Sequence, residues 1–287
     1  MMTFRAMNSD VAVIAECVAT QAAIQQTFID AEQRFSRFRS DSELMQLNRA
    51  TAPMIVSEPM FAALVAARRY VELTDGIFDP AIGATLVALG YDRSFGPGAL
   101  DRESDTKAAT AARFLDVELD HDRREVTRPS HVQIDLGGMI KGRTVDEAAA
   151  WLPRDGAIDA GGDAVMRGGG RLGWLVEIED PRDRSRIVAT IRVRDRAVAT
   201  SAANYRRWQV AGSQRHHIVD PRTQRSAATD LLQVTVVAPT AELADVLAKT
   251  VFILGAERGR AMIERHADVG AVLIATDGSP TTCGVVS

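Results

Sequence analysis

The chain has 287 residues, 46% hydrophobic and 25% charged, an ordinary globular balance that can bury a full core in one large domain or two lobes. Its formal net charge of -4, with arginines scattered among matching acids, argues against a nucleic-acid grip through bulk electrostatics. Cys17 and Cys283 stand far apart and outside any metal spacing, and no apolar run reaches signal-peptide or membrane-span length, so a cytoplasmic protein without a disulfide framework is expected.

Val11 to Val18 is apolar enough for a first strand. Thr20 caps a helix in which Ile24, Phe28, Ala31 and Phe35 recur at helical spacing. The polar run Ser36 to Leu44 leads into a short helix, capped by Ser40 or Asp41 and ending near Asn48. Ser57, with Pro59 in the first turn, opens another helix that runs to about Thr74 and stops at Asp75-Gly76. Ile77-Phe78-Asp79-Pro80 reads as a turn with an exposed carboxylate, and a short helix carries Leu86 to Leu89. Gly96 to Asp105 is a loop rich in Gly, Pro and charge. Leu115 to Leu119 and Glu125 to Thr127 form a hairpin.

The most informative stretch is Ile134 to Asp146. Val132, Ile134 and Leu136 alternate with Gln133 and Asp135, the period of a strand, which sets Asp135 on the face opposite the apolar residues. Val145, Ala148, Ala149 and Leu152 then fall at i, i+3, i+4 and i+7, so a helix follows. Gly137 and Gly138 at the turn let a ligand approach the backbone, and the first helical N–H groups favour an anion. Lys141, about one turn in, adds a fixed positive charge. Asp135 can accept a hydrogen bond or help hold a cation. The arrangement suits a phosphate; the plainer reading is a tight turn packing a helix on a sheet.

Beyond this helix the chain is mostly strands. Ala157 to Met166 contains Asp159-Ala160-Gly161-Gly162-Asp163, a glycine-interrupted strand or bulge. Trp174 to Glu179, Ile187 to Val193, Ala197 to Thr200, Tyr205 to Val210 and Leu232 to Val237 are strand-like. A long helix begins at the Thr240 cap, buries Leu243, Val246, Leu247, Thr250, Val251 and Leu254, and ends at Gly255. A helix over about Glu257 to His266 and a closing strand, Val269 to Thr276, complete the chain. The order predicts an α+β fold, a single domain over 1–287, or two lobes meeting near 153–156.

Three groups outside the central turn can carry chemistry. Glu242, Asp245 and Lys249 lie opposite the buried stripe of the long helix; Asp245 and Lys249, at i and i+4, make a surface ion pair, or hold a hard cation and face a phosphate. His217, at a strand end before Asp220-Pro221, can take a proton from a hydroxyl nucleophile, or is simply packed there. Thr200 to Tyr205 lines a pocket or forms a hairpin turn. No nucleophile elbow, Walker loop or zinc spacing occurs.

Taken together, these pieces resemble the FAD:protein FMN transferase family, the ApbE-like flavin transferases, over nearly the whole chain and in the family's order. Phe35-Ser36 through Ser42-Glu43-Leu44 to Asn48 and Thr74 to Pro80 are similar to two of its segments. So are Ile134 to Asp146 and Asp159 to Asp163, and likewise Ala199-Thr200-Ser201, His217 to Pro221 and Ala244 to Leu247. The resemblance implies mixed, T-fold-related sheets with packed helices and an FAD cleft between two lobes. It implies an enzyme that splits FAD and attaches FMN through a phosphoester to a Thr or Ser of a target protein, releasing AMP. Alternatives are an FAD-binding protein without transfer activity and a metal-dependent FAD pyrophosphatase. By position, Met7, Phe38, Ile77, Phe78, Asp79, Asp135, Lys141 and Val219 would touch FAD. Gly138, through its carbonyl, and Asp245 would hold Mg²⁺, and His217 would be the base, with Asp245 beside it in catalysis. The chain departs from the family at four places: Asn8 and Gln224 stand where Gly is usual, Phe38 where Tyr is common, and Lys249 where many members have a metal-binding Thr. A lysine ammonium beside Asp245 would compete with a divalent ion.

Overall fold

The computed structural model describes residues 1–15, 17–93, 101–102, 111–204, 207–210 and 213–286, with backbone alone at 101, 102, 210 and 213. The expected loop over Gly96 to Asp105 lies outside the described residues, apart from the backbone of a short strand at Asp101–Arg102.

The first strand is a hairpin, β1 (Met2–Ala6) and β2 (Ser9–Ile14). The apolar run continues past its end, and Val18 begins α1 (Val18–Phe35) instead of closing a strand; Thr20 lies inside that helix and does not cap it. Gln21 Nε2, donating to the Ala15 carbonyl at 2.7 Å, holds the change of direction. The predicted stripe of Ile24, Phe28, Ala31 and Phe35 is buried. The cap of α2 (Glu43–Arg49) is Ser42, whose hydroxyl accepts from Met45 N at 3.1 Å, so neither Ser40 nor Asp41 serves. Ser57 caps α3 (Glu58–Leu73) as expected, and the Glu43 carboxylate receives the Ser57 N–H and hydroxyl at 2.6 Å each. A short helix, α4 (Gly83–Ala88), starts before the expected Leu86. The hairpin of Glu118–Asp120 with Glu125–Thr127 forms, joined by Met54–Ile55.

Then come α5 (Ile140–Ala149), β3 (Gly156–Ala160), β4 (Asp163–Arg167), β5 (Trp174–Asp180), β6 (Asp183–Val193), β7 (Arg196–Ala202) and β8 (Leu231–Ala238). The chain ends with α6 (Ala241–Leu254), α7 (Ala256–Ile263), β9 (Gly270–Ala275) and β10 (Pro280–Gly284). Thr240 caps α6 and Gly255 ends it, as its sequence predicts. The strand expected to close the chain is β9; β10 follows it.

The fold is α+β, and the chain divides into two compact units. The first comprises Met1–Ile29, Lys141–Tyr205 and Ala228–Ser287, the second Asp30–Ile140 and Arg206–Ala227; residues 153–156 lie inside the first. In the first, eight antiparallel strands run in the order β1-β2-β3-β4-β7-β8-β9-β10. One face carries helices, where Ile24 and Phe28 of α1 and Val145, Ala148 and Leu152 near α5 pack against Val11, Val13 and Ile158. The β5–β6 hairpin covers the other face, where Ile178, Ile191 and Val193 meet Val198, Val237 and Val272. Each such large aliphatic contributes about 1.5–3 kcal/mol when fully buried.

In the second unit, α3 buries Met60, Leu64, Ala67 and Val71. The expected central strand is absent. Val132, Ile134 and Leu136 are buried, but Ile134 exchanges both its backbone bonds with the Asn48 side chain at 2.8 Å, and Asp135 N donates to the Pro80 carbonyl at 2.8 Å. Ile134 is bonded without a neighbouring strand, because an amide side chain supplies what a ladder would.

Candidate functional site

In the first unit the site is built at the ends of β3, β4, α5 and α6. Gly161 and Gly162 form a tight turn between β3 and β4, making a hairpin where the sequence suggested an interrupted strand. A Cβ on Gly161 would lie 2.9 Å from Ser9 Oγ, so the turn of β1–β2, carrying Met7, packs beside it. Met7 and Asn8 both have positive φ, 50° and 57°, a conformation that asparagine tolerates. The turn delivers Asp163 to the first position of β4, only 1% exposed. Lys141 is the second residue of α5, nearer the helix start than expected. Its ammonium donates to the Ala160 carbonyl at 2.7 Å and lies 2.5 Å from Asp163 Oδ2.

Asp245 is also 1% exposed, so it does not occupy a solvent face of α6, and Lys249 Nζ donates to its Oδ1. The surface ion pair the spacing suggests is thus a buried one: α6 is covered on nearly every side, and Glu242 and Lys249 are half-buried. The two pairs feel one another. Burial, and then the charge of Asp245, push the Asp163 carboxyl up to about 7, while Lys141 and Lys249 pull it down. Asp163 was not among the candidates; its signal was only its place after a Gly-Gly turn.

The helices that carry these pairs are joined by Asp146, whose carboxylate accepts from Ala241 N at 2.7 Å and Glu242 N at 2.8 Å. Burial raises its pKa, and those two amides oppose the shift. Arg143 reaches Glu242 at 3.4 Å, and Gly142 lies so close to α6 that a Cβ there would meet the Ala241 carbonyl at 2.4 Å.

In the second unit, Asp135 is buried, not exposed on a strand face. Its Oδ2 lies 2.6 Å from Arg37 Nε and its Oδ1 accepts from Gly137 N at 2.6 Å. The Arg37 guanidinium stacks over the Phe38 ring at 4.1 Å and the Tyr91 ring at 4.3 Å. Tyr91 stacks on Trp208 at 5.4 Å, and Val219 and Leu86 pack with them. Phe38, Asp135 and Val219 are therefore brought to one aromatic cluster; sequence reasoning missed Arg37, Tyr91 and Trp208, which are distant in the chain.

Asp79, expected as an exposed carboxylate, is 8% exposed. It accepts from Ala81 N at 2.8 Å and Phe114 N at 3.1 Å, and burial raises its pKa. Ile77 and Phe78 beside it are buried. Gly138 and His217 are half-buried, His217 lying between the short strands Ser213–His216 and Val219–Asp220. Gln224 has φ 56° and is held by Nε2 donating to the Pro221 carbonyl at 2.7 Å and by the Thr85 hydroxyl.

The ApbE family model matches residues 4–273. The chain belongs to the ApbE family. Among ApbE relatives, the FAD:protein FMN transferase of Treponema pallidum is 33% identical, over 89% of this chain and 78% of its own. That of Escherichia coli K12 is 28% identical, over 84% and 73%. The ApbE protein of Thermotoga maritima superposes with a TM-score of 0.87 at 25% identity, covering 98% of this chain and 96% of its own. The flavin transferase ApbE from Vibrio cholerae, at 23% identity, shares the fold with a TM-score of 0.81, covering 98% and 95%.

The magnesium that the ApbE resemblance implies does not fit the residues of the first unit. The Asp245 oxygen facing Lys249 is already taken by an ammonium, and Asp163 is taken by Lys141. Asp163 Oδ2 and Asp245 Oδ2 are buried and without a hydrogen-bond partner among the described residues, but a lysine ammonium lies against each carboxylate and opposes a divalent ion there. Among the described residues no three His, Cys, Asp or Glu side chains are grouped to hold a metal. Each carboxylate already carries an ammonium, whose charge repels an added divalent ion.

Proposed function

We propose that this protein is an FAD:protein FMN transferase. The observation that carries the reading is the 33% identity, over 89% of the chain, to a relative of that name. The acceptor is a Thr or Ser hydroxyl of a second protein. Its oxygen attacks the FMN-side phosphorus of FAD, the phosphoester bond forms, and the bridging P–O bond breaks. AMP departs with that electron pair, and the hydroxyl proton passes to a base, His217. Little covalent chemistry falls to the protein, so catalysis is mainly positioning and charge neutralisation.

The chain's own residues suit those tasks. The ammonium of Lys141 is fixed by Asp163 and the Ala160 carbonyl, so it meets a phosphate already oriented. Phe38, partly exposed and backed by buried Tyr91, Trp208 and Val219, is an apolar group available to a flavin ring, and Arg37 holds Asp135 beside it. Ile77, Phe78 and Asp79 make the adjoining loop, and Met7 lies at the β1–β2 turn. A cytoplasmic setting suits Cys17 and Cys283, both unpaired. No described helix is long and apolar enough to cross a membrane.

The test is to incubate purified protein with FAD and a candidate acceptor. Release of AMP together with a covalently flavinylated acceptor supports the reading. AMP with free FMN makes the protein a pyrophosphatase. Bound FAD without turnover makes it a flavin carrier.

A further inference from the structure

We propose that Lys249 supplies, within the chain, the positive charge otherwise provided by a divalent ion, so that this protein binds the diphosphate of its dinucleotide without metal. The inference rests on the reading that FAD is the ligand.

It begins with donor bookkeeping. An ammonium has three N–H donors and no acceptor. Lys141 donates one to the Ala160 carbonyl and pairs with Asp163 Oδ2 at 2.5 Å, so among the described residues at least one remains. Lys249 directs one to Asp245 Oδ1, which leaves two. Neither side chain is sealed: Lys141 is 15% exposed and Lys249 19%, while both aspartates are buried. The carboxylates are thus anchors, and the lysine side chains are the partly exposed members of the two pairs. Each aspartate fixes its lysine in place, so little side-chain freedom remains to be lost when an anion arrives. The anion is bound by directed hydrogen bonds from ammonium groups, which are strong for phosphate oxygens.

The geometry also says why the lysine excludes the ion. An i, i+4 spacing on α6 puts Lys249 one turn beyond Asp245 on the same face, and its ammonium rests on Oδ1, where its charge opposes a cation at the same carboxylate. A threonine at this position carries no charge to compete there.

The experiment uses the full chain, stripped with EDTA and then titrated with FAD by flavin fluorescence, with and without Mg²⁺. Bound metal is read separately from Mn²⁺ by electron paramagnetic resonance. FAD affinity is expected to be equal in the two buffers, with no bound Mn²⁺. Lys249→Thr is expected to weaken FAD binding in EDTA by about tenfold or more, to recover it with Mg²⁺, and to gain a bound Mn²⁺ signal. Lys249→Arg keeps the charge and is expected to stay metal-independent. Stoichiometric Mn²⁺ on the unaltered protein, or FAD binding that EDTA weakens about tenfold, would overturn the inference while leaving the functional reading intact. Absence of FAD binding in both buffers would overturn the functional reading and the inference with it.

Discussion

The Asp146 carboxylate accepts the Ala241 N–H at 2.7 Å, tying α5, which carries Lys141, to the start of α6, which carries Asp245 and Lys249. With the Arg143–Glu242 pair, it joins two helices that lie far apart in sequence. Asp146→Ala leaves the Ala241 and Glu242 N–H groups without this acceptor. The expected loss of stability is about 1–3 kcal/mol, read from urea unfolding, with Asp146→Asn retaining part of it.

Arg37 and Asp135 form a buried pair at 2.6 Å, with the guanidinium also lying over two aromatic rings. Arg37→Met fills the volume but strands the carboxylate. Unfolding free energy is expected to fall by about 3 kcal/mol, and Arg37→Met/Asp135→Asn together to recover most of it. Additive losses in that double-mutant cycle would show that the pair is not coupled.

His217→Ala is expected to leave FAD binding unchanged and to lower FMN transfer by about 10²–10⁴-fold, the usual range for a lost general base. FAD titration and AMP release, measured on the same preparation, separate the two effects. Loss of binding along with transfer would make His217 a structural residue.

His216 Nε2 lies 3.0 Å from the Ala227 carbonyl, and burial lowers its pKa below the ordinary 6.5, against the pull of that carbonyl. The folded protein therefore takes up this proton less readily than the unfolded chain. The His216 contribution to stability is complete above pH 6.5 and declines as pH falls below that value. Urea midpoints compared between pH 8 and pH 5 should show a smaller acid-side decline in His216→Gln than in the unaltered chain.

Local signals in the sequence were read correctly where one element answered to one cause. Ser57 with Pro59 opens α3, Thr240 and Gly255 bound α6, and Ile24, Phe28, Ala31 and Phe35 line α1. They misled where a long-range partner decided the matter. The alternation of Val132, Ile134 and Leu136 has the period of a strand, yet the bonds go to Asn48 and Pro80. Asp79, in a turn, is expected to be exposed, yet its carboxylate is buried and accepts the Phe114 N–H, 35 positions on. Within the site, the motif residues were legible as letters, but their partners were not. Asp163 for Lys141 and Arg37 for Asp135 come from segments that only the folded chain brings close.

The eight-stranded sheet is open, and β10 is one of its outer strands. Beneath it, β9 is a run of fully covered aliphatics, Ala271, Val272, Leu273 and Ile274. Pro280 has no N–H to offer a further strand, so β10 acts as a guard rail for the apolar strand inside it. Trimming the chain before residue 280 would bare the backbone of β9 and convert a shielded strand into a template for self-association.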